Sequence, residues 1–307
     1  MLARETKFDF LLAIGGGSVI DGTKFMAAVI PFKDGPELLL ENAGRAIVQA
    51  LPLGVVLTLP ASGSEMNNRA IISRKEFMHK RAIMNPFLFS RFAVLDPTKT
   101  YTLPVRQIGN GVVDTFVHVL EQYMTYPVEG KVQDRLAEGL LHVLLEEGPK
   151  ALVEPENYDV RANLMWCATI ALNGLIGAGV PQDWAAHRIG YELTVLYGMD
   201  HAQTIAVLVP AMFKILEQGK RQKLLQYAER VWGINKGSET ERIDSAIVRT
   251  REFFEKMQVP TRLSAYGVTD KCIPLVVELL KKHGMVALGE HQSVTPEVVE
   301  KILKICL

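Results

Sequence analysis

The stretch FLLAIGGGSVIDGTK, Phe10 to Lys24, decides how the first part of the chain folds. A short apolar run, Phe10–Ile14, meets Gly15-Gly16-Gly17-Ser18 and continues as a helical stretch from Val19 to Ile30. That order predicts a strand, a tight turn and a helix, with consecutive backbone N–H groups able to converge on an anion at the helix N-terminus. The glycines permit close approach and Ser18 adds a hydroxyl donor; the plain alternative is a strand-to-helix turn with no ligand. Two further apolar runs, Gly54–Leu57 and Phe92–Leu95, end at Thr58-Leu59-Pro60 and Asp96-Pro97. Strands alternating with helix imply a parallel sheet with binding loops at its carboxyl edge. Thr58, Ser62, Gly63 and Ser64 supply a hydroxyl-rich turn at that edge, which strengthens the phosphate-binding expectation. Asp21 and Lys24 either charge the helix face or reach the ligand.

After Pro104 helical periodicity takes over, at about 105–124, 131–147, 155–177, 182–196, 201–216, 219–232, 238–258, 272–283 and 295–305. The chain is therefore α/β followed by all-α, with units at 1–100 and 101–307 and a boundary near 97–104. The first unit has room for only about half of a doubly wound sheet. Hydrophobic residues make up 48% and charged ones 22%, a globular rather than a disordered composition. Lys and Arg total 34 and so do Asp and Glu, so no global basic field favours nucleic acid or an anionic membrane. Cys167, Cys272 and Cys306 show no CxxC pairing and no disulfide framework, which fits a reducing compartment. The first residues lack the apolar core of a signal peptide. The apolar stretch from Met165 to Pro181 is broken by Thr169, Asn173 and three glycines, so it reads as a buried helix with its exit turn. A cytoplasmic protein whose partners are small molecules or other subunits is expected.

Asp114 and His118 stand four apart in the helix 105–124 and share a face, among Ile108, Val112, Val113, Phe116, Val117 and Leu120. Such a pair is either half of a divalent-metal site or a helix-surface pair, and spacing leaves both open. His187 lies in the helix opened by Pro181-Gln182-Asp183, and His201 follows Gly198-Met199-Asp200. Asp200 is the expected N-cap there, and the positive helix end disfavours imidazolium at His201, keeping its lone pair available. Three of the seven histidines thus join an aspartate in the helical unit, which tips the reading toward a metal.

Together GGGSVIDGTK, TLPASGSE, NGVVDTFVHVLEQY, GLIGAGVPQDWAAHRIGYE and GMDHAQT resemble the iron-containing alcohol dehydrogenase family. The likeness runs from end to end and is nearest to the NADPH-dependent aldehyde reductase and butanol dehydrogenase branch. It implies a partial Rossmann-like sheet and a helical metal-binding domain, in the dehydroquinate synthase-like architecture. It also implies that Asp114, His118, His187 and His201 hold one Fe2+ or Zn2+, a choice the ligand set leaves open. By the same likeness Gly15, Gly16, Gly17 and Ser18 hold a cofactor diphosphate, with Asp21 counted among the cofactor-binding residues. Thr58, Ser62 and Ser64 line the cleft, Ser62 standing where the family usually has threonine. Lys80 matches a lysine beside the nicotinamide ribose, although within Arg74-Lys75-Glu76…His79-Lys80-Arg81 it reads as part of a solvated charge run. The implied reaction is reversible hydride transfer between NADP(H), preferred over NAD(H), and short-chain aldehydes or alcohols, with the metal as Lewis acid.

Two departures qualify the likeness. Where the family commonly has a further histidine one turn after the third ligand, this chain has Tyr191, at i+4 from His187. A phenol with a reference pKa of about 10 exchanges protons at neutral pH less readily than an imidazole at about 6.5. Tyr191 and Lys80 are accordingly the catalytic candidates, with alcohol oxidation expected to be slow at neutral pH. The family's first βαβ half is absent before Met1, so strong metal binding with weak nicotinamide binding is expected, and the choice between NADP and NAD rests on the resemblance alone. Family habit implies a homodimer. Two other readings are an inactive metal-binding remnant or subunit, and a sugar-phosphate lyase on the same architecture. The lyase needs extra Lys and Arg around the metal, whereas VVDTFVHVL and PQDWAAHRIG are apolar apart from Arg188. Trp184, Leu175, Ile176 and Tyr191 either wall an apolar pocket or pack in the core.

Overall fold

The computed structural model of the 307-residue chain describes residues 5–74 and 79–307; Lys75 and Glu76 of the charge run lie outside the described residues. In chain order the first part contains β1 (Leu11–Gly16), α1 (Gly17–Val29), α2 (Pro36–Glu41), β2 (Leu53–Leu59), β3 (Arg69–Arg74), β4 (His79–Met84) and β5 (Phe92–Val94). Strands β1, β2 and β5 form a parallel sheet in that order, with Leu11 opposite Leu53 and Gly54 opposite Phe92. Period-two alternation sets its faces. Ala13, Leu53, Val55 and Leu57 are buried against Ile20 and Ala27 of α1 and against Met165, while Leu12, Ile14, Phe92 and Val94 are exposed on the other side.

Two elements lie outside the pattern expected from the sequence: α2 and the antiparallel hairpin β3–β4, in which Ser73 faces Lys80 and Arg74 faces His79. Charged residues at both ends of the hairpin hide its alternation, but Ala70 and Ile83 are buried with Leu39, Leu40, Ile47 and Leu88. Lys80 is therefore a strand residue, not one of a solvated run. The root of the hairpin is held by Lys24, which is fully buried. Its ammonium donates to the Asn67 and Arg69 carbonyls at 2.7 and 2.9 Å, and to Ser64 Oγ and Asn67 Oδ1, both at 3.1 Å. Burying an ammonium is costly unless its donors are used, and here four oxygens take them.

The rest is helical: α3 (Val105–Tyr123), α4 (Lys131–Val153), α5 (Tyr158–Leu172), α6 (Ala185–Tyr197), α7 (His201–Ile215), α8 (Glu217–Arg230), α9 (Glu239–Lys256), α10 (Cys272–Lys282) and α11 (Pro296–Cys306). Several ends differ from those the periodicity predicts, most of all in α4 and α5. Helix α4 continues through Pro149, because Gly148 beside it packs on Val112 and Met257 and that buried contact outweighs one missing N–H. Helix α5 starts only at Tyr158, where the Asn157 side chain accepts from Val160 N at 3.2 Å, and ends before Gly174 at φ +96°.

Helix α3 is the axis of the molecule: it is buried without a break from Ile108 to Tyr123 and packs on α4, α5 and α7. It joins the sheet through Gly111, where a Cβ would lie 2.7 Å from the Pro60 carbonyl oxygen in the turn after β2. The missing side chain sets the distance between α3 and the turn after β2. Gly111→Ala is expected to cost about 1–3 kcal/mol through overpacking against backbone. Gly139→Ala, at an exposed helical position with open space around it, is expected to be neutral or stabilising. Thermal unfolding of the two variants checks this, and an unchanged Tm for Gly111→Ala contradicts the close approach.

Candidate metal and cofactor site

Four side chains from three helices meet at one point. Asp114 and His118 project from α3, His187 from α6, and His201 is the first residue of α7; their ligand atoms all lie within 4.8 Å of one another. Asp114 Oδ1 is 3.7 Å from Nε2 of both His118 and His201, too far for a hydrogen bond. The His187 ring lies 4.8 Å from that of His118 and 4.9 Å from that of His201. Asp114 Oδ1 and His187 Nε2 are buried with no hydrogen-bond partner among the described residues. Buried polar atoms are ordinarily paired, and a carboxylate with three imidazoles at this spacing fits a divalent cation.

Burial keeps the imidazoles neutral, the form that donates a lone pair. It lowers His118 and His187 to about 4 despite the opposing pull of Asp114. His201 is held well below its ordinary value, first by burial and then by Lys80, His187 and His118. The helix end expected to act there is present, with Gln203 Oε1 accepting from the N–H of the N-cap Asp200 at 2.9 Å, but burial comes first.

Glu121 is a site residue that the sequence by itself does not identify. It lies three residues after His118 on the same helix, is buried, accepts from Ala186 N at 2.7 Å, and hydrogen-bonds His187 Nδ1. That bond leaves His187 Nε2 turned to the other ligands, as a carboxylate behind a metal-binding histidine does. Spacing within α3 gave a hint, but the partner arrives from α6.

On the sheet side, α1 begins at Gly17 with Gly16 as an N-cap that makes no side-chain bond, so first-turn N–H groups are uncapped. A Cβ on Gly17 would lie 2.4 Å from Ser62 Oγ, so the glycine loop and the turn after β2 come together as expected. Thr58, one residue before the end of β2, is half-buried at the same edge, and Ser18 is exposed in the first turn of α1. Neither alternative for Asp21 and Lys24 describes what forms. Both are buried, and Asp21 accepts from Ser64 Oγ at 2.6 Å and from Ile71 N at 2.9 Å. These side chains brace the hairpin and the turn from behind.

The hairpin reaches the metal cluster. Lys80 Nζ lies 4.6 Å from the Tyr191 ring centroid, and Tyr191 is buried with its ring 5.7 Å from His201. Burial lowers Lys80, against the pull of Asp114 and then Asp21, and pushes the Tyr191 phenol up to about 12. Arg69 lies 5.6 Å from the Trp184 ring, which meets His187 edge-on at 5.2 Å, and Arg188 lies 6.0 Å from the Tyr191 ring. The expectation of apolar surroundings broken only by Arg188 is thus corrected, since β3 and β4 add Arg69 and Lys80. Ile176 belongs to the core and Leu175 is exposed, so of the suggested wall residues Trp184 and Tyr191 are the two beside the cluster.

Residues 1–97 match the family model for iron-containing alcohol dehydrogenase, and residues 109–307 match that for the C-terminal part of the Fe-containing alcohol dehydrogenase family. The chain is 57% identical over 303 residues to the NADPH-dependent aldehyde reductase YqhD of Escherichia coli, covering 98% of this chain and 78% of that protein. It is 34% identical over 308 residues to a probable NADH-dependent butanol dehydrogenase of Bacillus subtilis, covering 100% and 79%. The crystal structure of E. coli YqhD superposes with a TM-score of 0.98 at 56% identity, covering 100% of this chain and 79% of that one. That of the NADH-dependent butanol dehydrogenase A of Thermotoga maritima gives 0.92 at 30% identity, covering 99% and 78%.

If Glu121 orients His187, Glu121→Ala weakens Zn2+ binding by about 10–100-fold in chelator competition, and Glu121→Gln, which keeps an acceptor, recovers much of it. Equal affinities for all three proteins count against that role.

Proposed function

This chain belongs to the iron-containing alcohol dehydrogenase family, and from that premise we propose that it is a metal- and NADPH-dependent aldehyde reductase that also runs the reverse oxidation of short-chain alcohols. The observation that carries the reading is the convergence of Asp114, His118, His187 and His201 within 4.8 Å, beside the hairpin that carries Lys80. When bound there, Fe2+ or Zn2+ supplies Lewis-acid polarisation of a substrate carbonyl, and the nicotinamide supplies or accepts the hydride. NADP is preferred over NAD on the likeness to the E. coli enzyme. The division into a cofactor-binding domain, residues 1–100, and a metal-binding catalytic domain, residues 101–307, goes with this reading, as does a homodimer in the cytoplasm.

The chain's own residues divide the remaining work. The N–H groups at Gly15, Gly16, Gly17 and Ser18 receive the cofactor diphosphate, the close contact of Gly17 with Ser62 leaving no room for a side chain between loop and turn. Thr58 and Ser62 line the same cleft. Asp21 and Ser64, spent on each other, support the loop from behind. Lys80 stands between Tyr191 and the nucleotide side, where its ammonium holds the nicotinamide ribose. Glu121 fixes the His187 ring, and Trp184 and Tyr191 exclude water from the reacting centre.

Tyr191 stays protonated across the working range, since burial raises a group that ordinarily titrates near 10. Its phenol donates a hydrogen bond but does not take up the proton that alcohol oxidation releases at neutral pH.

Metal-loaded protein is expected to oxidise NADPH on butanal and to lose that activity on chelation, with return on adding Fe2+ or Zn2+. Soluble, metal-loaded and inert protein contradicts the reading. Tyr191→His is expected to raise alcohol oxidation near neutral pH and to add an inflection near the imidazole range, about pH 6–7, to its pH–rate profile. An unchanged profile rules out a proton-transfer consequence of Tyr191.

A further inference from the structure

Three cations, Arg69, Lys80 and Arg188, stand around the four-residue cluster, and among the described residues none of them forms an ion pair with a carboxylate. Among the described residues the acids that form ion pairs do so elsewhere: Asp200 with Arg106, Asp183 and Glu290 with Lys220, Glu138 with Arg135. None of them pairs with Arg69, Lys80 or Arg188. Arg69 and Arg188 are half-buried, and Arg69 lies near enough to Arg188 for the two like charges to oppose each other. Each guanidinium rests by an aromatic ring, Arg69 at 5.6 Å from Trp184 and Arg188 at 6.0 Å from Tyr191. Cation–π contact holds a guanidinium in place yet leaves its N–H fork unspent. Asp114 is the one acid of the four-residue cluster, and a divalent cation held there would use its charge.

We propose that Arg69 and Arg188 form the oxoanion-binding end of the substrate site, so that the preferred substrates are aldehydes carrying a carboxylate or similar oxoanion at the end remote from the carbonyl. This deepens the reductase reading and rests on it. Trp184 and Tyr191, the rings that seat the two arginines, are also the rings next to His187 and His201. An aldehyde oriented toward the four ligands therefore has its far end within reach of the guanidinium pair. A carboxylate there receives charge-assisted, fork-type hydrogen bonds, and an alkyl end leaves two half-buried cations facing apolar surface. Lys80 adds to the same positive field while serving the cofactor.

The test uses the full chain, loaded with Zn2+ or Fe2+, and two four-carbon aldehydes, succinic semialdehyde and butanal. With NADPH, succinic semialdehyde is expected to exceed butanal in kcat/KM by at least about tenfold, and Arg69→Met with Arg188→Met to bring the ratio to about one or below, chiefly through KM. Arg188→Lys, which keeps charge but not the fork, is expected to fall between. Independently of turnover, γ-hydroxybutyrate and butanol are titrated by tryptophan fluorescence without NADPH. The anion is expected to bind tighter, the double Met variant to lose about tenfold or more, and Trp184→Phe to remove most of the signal. Butanal turnover with no preference in either assay overturns this proposal and leaves the reductase reading standing. Arginine-dependent anion binding without turnover of either aldehyde keeps the oxoanion site at Arg69 and Arg188 but overturns the substrate preference together with the reductase reading. If the double variant fails to fold, the wild-type ratios decide alone.

Discussion

Helix α3 has no solvent-facing side between Ile108 and Tyr123, so every polar residue on it must be satisfied inside the protein. Asn110 donates to Asp200 Oδ2 at 2.8 Å, Thr115 to its own helix at the Gly111 carbonyl at 2.8 Å, and Gln122 to the carbonyls of His118 and Ala171, both at 2.8 Å. Glu121 is taken by α6. Asp114 Oδ1 alone of these side-chain oxygens faces imidazole nitrogens at non-bonding distance. The rest of the helical part is arranged so that α6 and α7 bring His187 and His201 to that one oxygen.

A second buried charge, Lys24, does for the hairpin what α3 does for the helices. By binding four oxygens in the segment from Ser64 to Arg69, it fixes the root of β3 against α1. The hairpin then projects Arg69 and Lys80 onto Trp184 and Tyr191 of the helical part. Sheet and helices meet at this seam, with the glycine loop on one side and Asp114, His118, His187 and His201 on the other. The electrostatics follow: burial keeps three histidines neutral and one phenol protonated, and among the described residues Arg69, Lys80 and Arg188 at the seam form no ion pair, Lys80 feeling Asp114 and Asp21 only at longer range.

Much of this was legible in the sequence because it depends on local patterns. Short apolar runs closed by turn residues found the parallel strands, period-3.6 hydrophobicity found the helices from Val105 onward, and i, i+4 spacing put Asp114 and His118 on one face. The hairpin was not legible, since charged ends mask its alternation and its buried residues are few. Nor were Glu121, Lys24 and Arg69, whose roles depend on partners 65, 43 and 115 residues away: Ala186, Asn67 and Trp184.

By itself, then, the sequence determined the parallel strands, the glycine loop and the run of helices after Val105, which are properties of neighbours along the chain, and its family resemblance pointed to Asp114, His118, His187 and His201 as candidate ligands. Only the tertiary structure decided which charges are buried, which atoms are left unpaired, and what surrounds the ligands. The reason is physical: desolvation and Coulomb interaction depend on distance in space, and three helices and a hairpin from separate parts of the chain share one small volume.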